Sequence, residues 1–285
     1  MRFLFVDHID AVNEHEIAGW VTFPADESFA YRQPGAPFQV APGIVAEAIG
    51  QLVSWKVLAR NGFTARPVFA FCDAIELHAP VAPGETVRLT GKITTIDDES
   101  FRFDGEAHGA QGLAARLRDV NGYFMPLAEL EDPEVTKRRY EALTSGGIRS
   151  ATGHAPFAFG ALGSDVQELT PETSIRVAHA FATDALFYQD HFPRFPVTPA
   201  VLLNELIGAA AQRLVAASRP SARAVARTIR GVKVRSFVRP GEPVEATVTV
   251  LSQTTGSLVT RAELKKEGRL ILRGEYGYDV METMP

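Results

Sequence analysis

With one cysteine, Cys72, in 285 residues, the chain can form no internal disulfide, so its fold must rest on a core and suits a reducing, cytoplasmic compartment. Long apolar runs are also scarce. The longest, residues 199–217, is interrupted by Asn204, Glu205 and Gln212, which argues against a membrane span. The opening Met1-Arg2-Phe3-Leu4-Phe5-Val6-Asp7-His8 has too short an apolar stretch and no small-residue cleavage site for a secretory signal. A formal net charge of −5 leaves no general footprint for nucleic acid, and no nucleic-acid partner is expected. The sequence has no Gly-x-Ser-x-Gly elbow, Walker loop or dinucleotide fingerprint, which puts serine hydrolases and nucleotide enzymes out of favour. Outside the motif described below, no pair of histidines has ligand spacing with a third group, so neither metal nor cofactor is expected.

What the chain does have is a copy of itself. Its length suits two domains, each able to bury a core. Pro42-Gly43-Ile44-Val45 returns as Pro199-Ala200-Val201-Leu202, and Pro83-Gly84-Glu85 as Pro240-Gly241-Glu242, both at an offset of 157 residues. Each half therefore reads as an opening strand, a Pro-rich loop, a helix and a series of strands joined at a Pro-Gly turn. The helices are expected over residues 43–59 and 200–217. The second is apolar almost all round, which predicts burial on every side and places Glu205 in a core. Alternating runs after each helix, such as residues 86–93 and 244–250, read as half-buried antiparallel strands. Residues 129–153 are charged, then Ser/Gly-rich, with a short helix near 133–143. The expected division is 1–130, a linker at 131–153, and 154–285.

The chemistry concentrates in His191-Phe192-Pro193-Arg194-Phe195-Pro196-Val197-Thr198-Pro199 and the helix after it. Three prolines at a spacing of three fix the backbone and remove donors, so this stretch is a rigid loop. Glu205 follows 14 residues past His191, inside the apolar helix. With Phe187, Tyr188 and Gln189 ahead of it, and Val201 and Leu202 within it, the run resembles the signature of the 3-hydroxyacyl carrier-protein dehydratases of fatty acid synthesis. Asp190, Arg194, Ala200 and Asn204 depart from that signature. The departures bear on loop geometry and leave the proton-transfer groups in place.

The resemblance implies an α+β chain of two tandem hotdog domains, each a curved antiparallel sheet wrapped around a long central helix, joined edge to edge as a pseudo-dimer. It further implies that the histidine of one unit faces the carboxylate of the other. That arrangement sets His191 opposite Glu47, and Gln33, 14 residues before Glu47, opposite Glu205. Glu47-Ala48-Ile49-Gly50-Gln51 keeps the look of the family's Glu-Ala-x-x-Gln, so the N-terminal half has an acid and no motif histidine. His191 with Glu47 is the favoured pair, and Glu205 is the second candidate because it fits the motif within its own half.

Dehydrating a 3-hydroxyacyl thioester needs a base for the C2 proton, an acid for the leaving hydroxyl and a donor for the growing enolate charge. Histidine suits the first role, and a glutamate whose pKa is raised by burial suits the second. Free amides at the helix starts, near Gly43 or Ala200, would hold the carbonyl. Gln33, Phe192 and Pro199 would line the site. For Glu47 and Glu205 the bland alternative is a buried structural carboxylate.

Eight cations, Arg213, Arg219, Arg223, Arg227, Arg230, Lys233, Arg235 and Arg239, stand with no acid among them. They form either a docking face for acyl carrier protein or coenzyme A phosphates, or a solvated surface. The expected substrate is an acyl carrier protein or coenzyme A thioester, and a homo-oligomer is compatible with the reading. A hotdog thioesterase and a non-catalytic acyl-binding scaffold are the alternatives. Glutamate in place of aspartate leans toward plain dehydration and away from the dehydratase-isomerase branch.

Overall fold

The computed structural model describes residues 3–26, 29–32, 37–148 and 159–282; Gln33, His154 and residues 149–153 of the expected linker lie outside that set. The first half opens with the hairpin β1 (His8–Val12) and β2 (Glu16–Thr22). Two short strands, β3 (Ala30–Tyr31) and β4 (Gln39–Val40), pair with each other and lead into helix α1 (Pro42–Arg60). Then come β5 (Ala65–Leu77), β6 (Thr86–Ile96), β7 (Ser100–Gly109) and β8 (Gly112–Pro126). Two helices follow, α2 (Leu127–Leu130) at the end of the first unit and α3 (Pro133–Ser145) in the expected linker. Asp132 caps α3 by accepting from the Glu134 and Val135 amides, with Pro133 at the first helical position.

The second half repeats the order with β9 (Asp165–Thr170), β10 (Ser174–Ala180), helix α4 (Ala200–Ser218), β11 (Ala222–Val234), β12 (Pro243–Gln253), β13 (Ser257–Lys266) and β14 (Arg269–Glu282). Each half thus opens with a hairpin where sequence patterning suggests one strand. Asn13 explains the first: its Oδ1 accepts from the His15 and Glu16 amides and turns the chain inside three residues. The Pro-Gly turns have one cause in both halves. Gly84 and Gly241 take φ of 83° and 76°, and the amides of Glu85 and Glu242 close the turns onto Ala82 and Arg239.

All the labelled strands except the β3–β4 pair form one twelve-stranded antiparallel sheet in the order β1-β2-β6-β7-β8-β5-β11-β14-β13-β12-β10-β9. Outward from the β5–β11 seam, the two halves read alike. At the seam Glu76 pairs with Thr228 and Phe71 with Lys233. Thr228 stands 157 residues after Phe71, and Lys233 the same distance after Glu76, so exchanging the halves turns one pair into the other. The seam is a local twofold axis, and the two units are tandem hotdogs joined edge to edge.

Alternation along β6 and β12 buries Val87, Leu89 and Ile93, and Val244, Ala246 and Val248, against the helices. Helix α1 is buried along most of its length. Helix α4 departs from the expected burial on every side: Asn204, Glu205, Gly208, Ala209, Gln212 and Arg213 form a half-buried stripe along it. That stripe faces a cavity instead of packed side chains. By length and composition α4 is also apolar enough to cross a membrane, and in this fold its remaining faces are buried in the core.

Candidate active site

Each central helix begins at the interface between the halves and carries its glutamate near that beginning. Two composite sites result, one with the α4 start and Glu47, the other with the α1 start and Glu205, although the 157-residue offset itself matches Glu47 with Asn204 and Glu205 with Ala48. Their contents differ.

His191 follows a 3-10 turn at Leu186–Gln189, its amide donating to the Phe187 carbonyl at 3.0 Å. The Pro-rich loop closes on itself, because the Val197 amide donates to the His191 carbonyl at 3.0 Å and His191 Nδ1 meets the Val197 carbonyl at 3.0 Å. A carbonyl only accepts, so Nδ1 carries the proton and Nε2 keeps its lone pair. Two departures from the family signature anchor the loop. Asp190 accepts from the Phe3 amide at 2.8 Å, and Arg194 donates to the Ala128 carbonyl and to Asp132 on the linker. Phe192 stacks on the imidazole with centroids 4.3 Å apart, and Phe3 meets it edge-on at 5.7 Å. So enclosed, His191 loses hydration, and its pKa falls from 6.5 to about 4.

Glu47 lines the same cavity as His191, a space of about 80 Å3 that also touches Gln51, Arg66, Phe192, Thr198, Ala200, Leu203 and Phe237. Burial raises the Glu47 pKa from 4.5 to about 7, opposed by a hydrogen bond from Gln51 and by the charge of Arg66. The Arg66 guanidinium pairs with Glu131 and lies 4.8 Å over the Phe192 ring. Its positive charge disfavours an imidazolium at His191 and favours a carboxylate at Glu47. No side chain caps α4 at Pro199, so the Ala200 end brings the positive pole of the helix to this cavity. Pro199 itself is not among the residues lining either cavity.

Glu205 lies in the other composite site. Its Oε1 accepts from the Gly43 amide at 3.0 Å, so the amide that by symmetry matches Ala200 is already engaged. A Cβ on residue 43 would sit 2.7 Å from the same oxygen, so a larger residue there would displace the carboxylate. Burial raises the Glu205 pKa from 4.5 to about 7, with the Gly43 hydrogen bond opposing. A cavity of about 580 Å3 surrounds it, lined also by Tyr31, Asn204, Arg213, Tyr276 and Tyr278.

The structure thus brings His191, Glu47, Phe192 and Ala200 together and sets Glu205 and Gly43 apart from them. Sequence reading missed Arg66, Phe3, Tyr31 and Tyr278. Nothing in a strand's own pattern tells which cavity one of its polar residues enters. Gln51 carried a usable signal, lying one helical turn beyond Glu47.

A family model described as ApeI dehydratase matches residues 167–270. A 3-hydroxyacyl-[acyl-carrier-protein] dehydratase, FabZ, of Lactiplantibacillus plantarum is 37% identical over 90 residues, 31% of this chain and 61% of that protein, under two thirds of its length. The FabZ of Ruminiclostridium cellulolyticum is 30% identical over 138 residues, 47% of this chain and 94% of that protein. Among solved structures, the dehydratase domain of PpsC from Mycobacterium tuberculosis, in complex with C12:1-CoA, shares the fold at a TM-score of 0.56 and 17% identity, covering 98% of both chains. Thioesterases share the fold as well. The sequence match to nearly the whole of a FabZ and the two-hotdog architecture agree: the chain belongs to the 3-hydroxyacyl-[acyl-carrier-protein] dehydratase family.

Proposed function

We propose that the chain dehydrates (3R)-3-hydroxyacyl thioesters to trans-2-enoyl thioesters in the cavity shared by His191 and Glu47. The observation that carries this reading is the His191 Nδ1–Val197 carbonyl contact, which leaves Nε2 as a neutral base beside a buried carboxyl. Nε2 takes the C2 proton, and the C–H electron pair forms the C2–C3 double bond. Protonated Glu47 gives its proton to the departing C3 hydroxyl, which leaves as water. The first amides of α4, at Ala200, hold the charge that grows on the thioester oxygen. His191 and Glu47 come from different halves, so neither residues 1–130 nor residues 154–285 alone would hold the pair.

The carrier is an acyl carrier protein or coenzyme A. Val234, Ser236, Phe237 and Val238 line the His191 cavity, which puts the exposed Arg235 and Arg239 beside its entrance. This end of the basic run is the docking candidate. Thioester hydrolysis at Glu205 is the weaker reading, because the Gly43 amide that would hold the carbonyl is bonded to Glu205 itself.

Hydration of a short trans-2-enoyl thioester, followed by loss of enoyl absorbance, tests the proposal. Wild-type protein should turn over, and His191→Ala should lose about 100-fold to 10,000-fold. Equal rates in the two would refute it.

A further inference from the structure

The two cavities differ widely in size, about 80 Å3 around His191 against about 580 Å3 around Glu205. Among the described residues none lines both, so the larger is no extension of the smaller. One cause of the inequality stands on the strands at the seam. The 157-residue offset sets Ala226 of β11 where β5 has Phe69. Both strands bulge at that place, β5 against β8 between Phe69 and Phe71, and β11 against β14 between Ala226 and Thr228. Phe69 lines the small cavity and Ala226 the large one.

Phe69 is backed by the core. Its ring meets those of Phe101 and Phe103 at centroid distances of 5.6 Å each, and both of these are fully buried. On the helix side it packs against Gly50, three residues past Glu47 on α1, where an added Cβ would lie 3.1 Å from the ring. So wedged, the ring cannot swing aside without displacing close-packed neighbours. The space it leaves, about 80 Å3, holds about three water-sized groups at about 30 Å3 each. Ordinary small-molecule pockets run to about 300–1,000 Å3. The His191 cavity is on the scale of the C2–C4 end of a four-carbon acyl chain and falls far short of a twelve-carbon one.

We infer that Phe69 closes the His191 cavity against the core and restricts it to short 3-hydroxyacyl thioesters, about four carbons long. The inference rests on the dehydration proposed at His191 and adds to it the length of the substrate and the residue that sets it. Phe69 acts by excluded volume: with the ring gone, the space between the cavity and the rings of Phe101 and Phe103 opens to a longer chain.

The test is hydration of trans-2-butenoyl, trans-2-octenoyl and trans-2-dodecenoyl thioesters, each on coenzyme A and on an acyl carrier protein, by the full chain and by Phe69→Leu and Phe69→Ala. A single methylene too many in a filled pocket is worth about 10-fold or more in kcat/KM. Wild-type protein should therefore favour butenoyl over octenoyl by at least about 100-fold. Phe69→Ala should raise the octenoyl-to-butenoyl ratio at least about 10-fold, with Phe69→Leu in between. The ratio cancels any loss of folded protein, and Phe69→Leu keeps more of the core packing if Phe69→Ala does not fold. Failure of wild-type protein to hydrate any of the three would refute the dehydration at His191 and the length limit with it. Hydration of dodecenoyl as fast as butenoyl would leave the dehydration standing and overturn the length limit. An unchanged ratio in the folded variants would overturn Phe69 as its cause.

Discussion

Gln51 and Glu47 stand one turn apart on α1, and Gln51 Nε2 reaches both the Glu47 carboxyl and the Phe3 carbonyl at 3.1 Å. Gln51 Oε1 accepts from the Phe5 amide at 2.8 Å, and Asp190 holds the Phe3 amide. The N-terminal segment is therefore fastened at one end to the proposed acid and at the other to the loop of the proposed base. Gln51 is a positioning residue by this geometry. Its hydrogen bond also lowers the Glu47 pKa. Gln51→Ala should lower dehydration about tenfold and move the alkaline limb of the pH–rate profile upward. An unmoved limb would mean that Gln51 serves the fold alone.

The wild-type pH profile should itself be bell-shaped. The reaction needs neutral His191, whose pKa is lowered to about 4, and protonated Glu47, whose pKa is raised to about 7. Rates should fall as acid below about pH 4 protonates the base, and fall as pH rises above about 7 and ionises the acid. The acid limb is best read from initial rates in short assays. A rate that keeps rising between pH 7 and 9 would contradict the assignment of Glu47 as proton donor.

Stability should carry the same signature. Glu47 and Glu205 both have folded pKa values raised from 4.5 to about 7, so the native state holds protons that the unfolded chain releases. Their contribution is fully present below pH 4.5 and is lost as pH rises through 7. His191 works in the other direction: its lowered pKa stabilises above pH 6.5, and that contribution is lost as pH falls toward 4. Replacing both glutamates, Glu47→Gln with Glu205→Gln, should flatten the loss of stability between pH 5 and 8 in urea titrations. An unchanged slope would show that the two carboxyls ionise freely in the folded state.

Much of this arrangement was legible in the sequence because its determinants are local. The Pro-Gly turns, the proline at the start of each helix and the alternation of β6 and β12 act within a few residues, and the 157-residue offset transfers each feature from one half to the other. The seam follows from the same symmetry. What escaped depends on tertiary placement. Arg66 enters the cavity of His191 through the register of β5, and Tyr278 that of Glu205 through the register of β14. The apparent core face of α4 lines a cavity because small residues, Gly208 and Ala209, stand where larger side chains would have filled it. Gln33, assigned opposite Glu205 by symmetry, falls outside the described residues.

The central claim is that His191 works with the glutamate of the other half. It is tested most directly by comparing enoyl-thioester hydration by Glu47→Gln and Glu205→Gln at equal folded concentration. Glu47→Gln removes the proton donor while keeping side-chain size, and activity should fall about 100-fold or more. Glu205→Gln alters only the cavity without a histidine, keeps an oxygen for the Gly43 amide, and should retain most of the activity. Loss of activity confined to Glu205→Gln would contradict the account and place the working pair within a single hotdog.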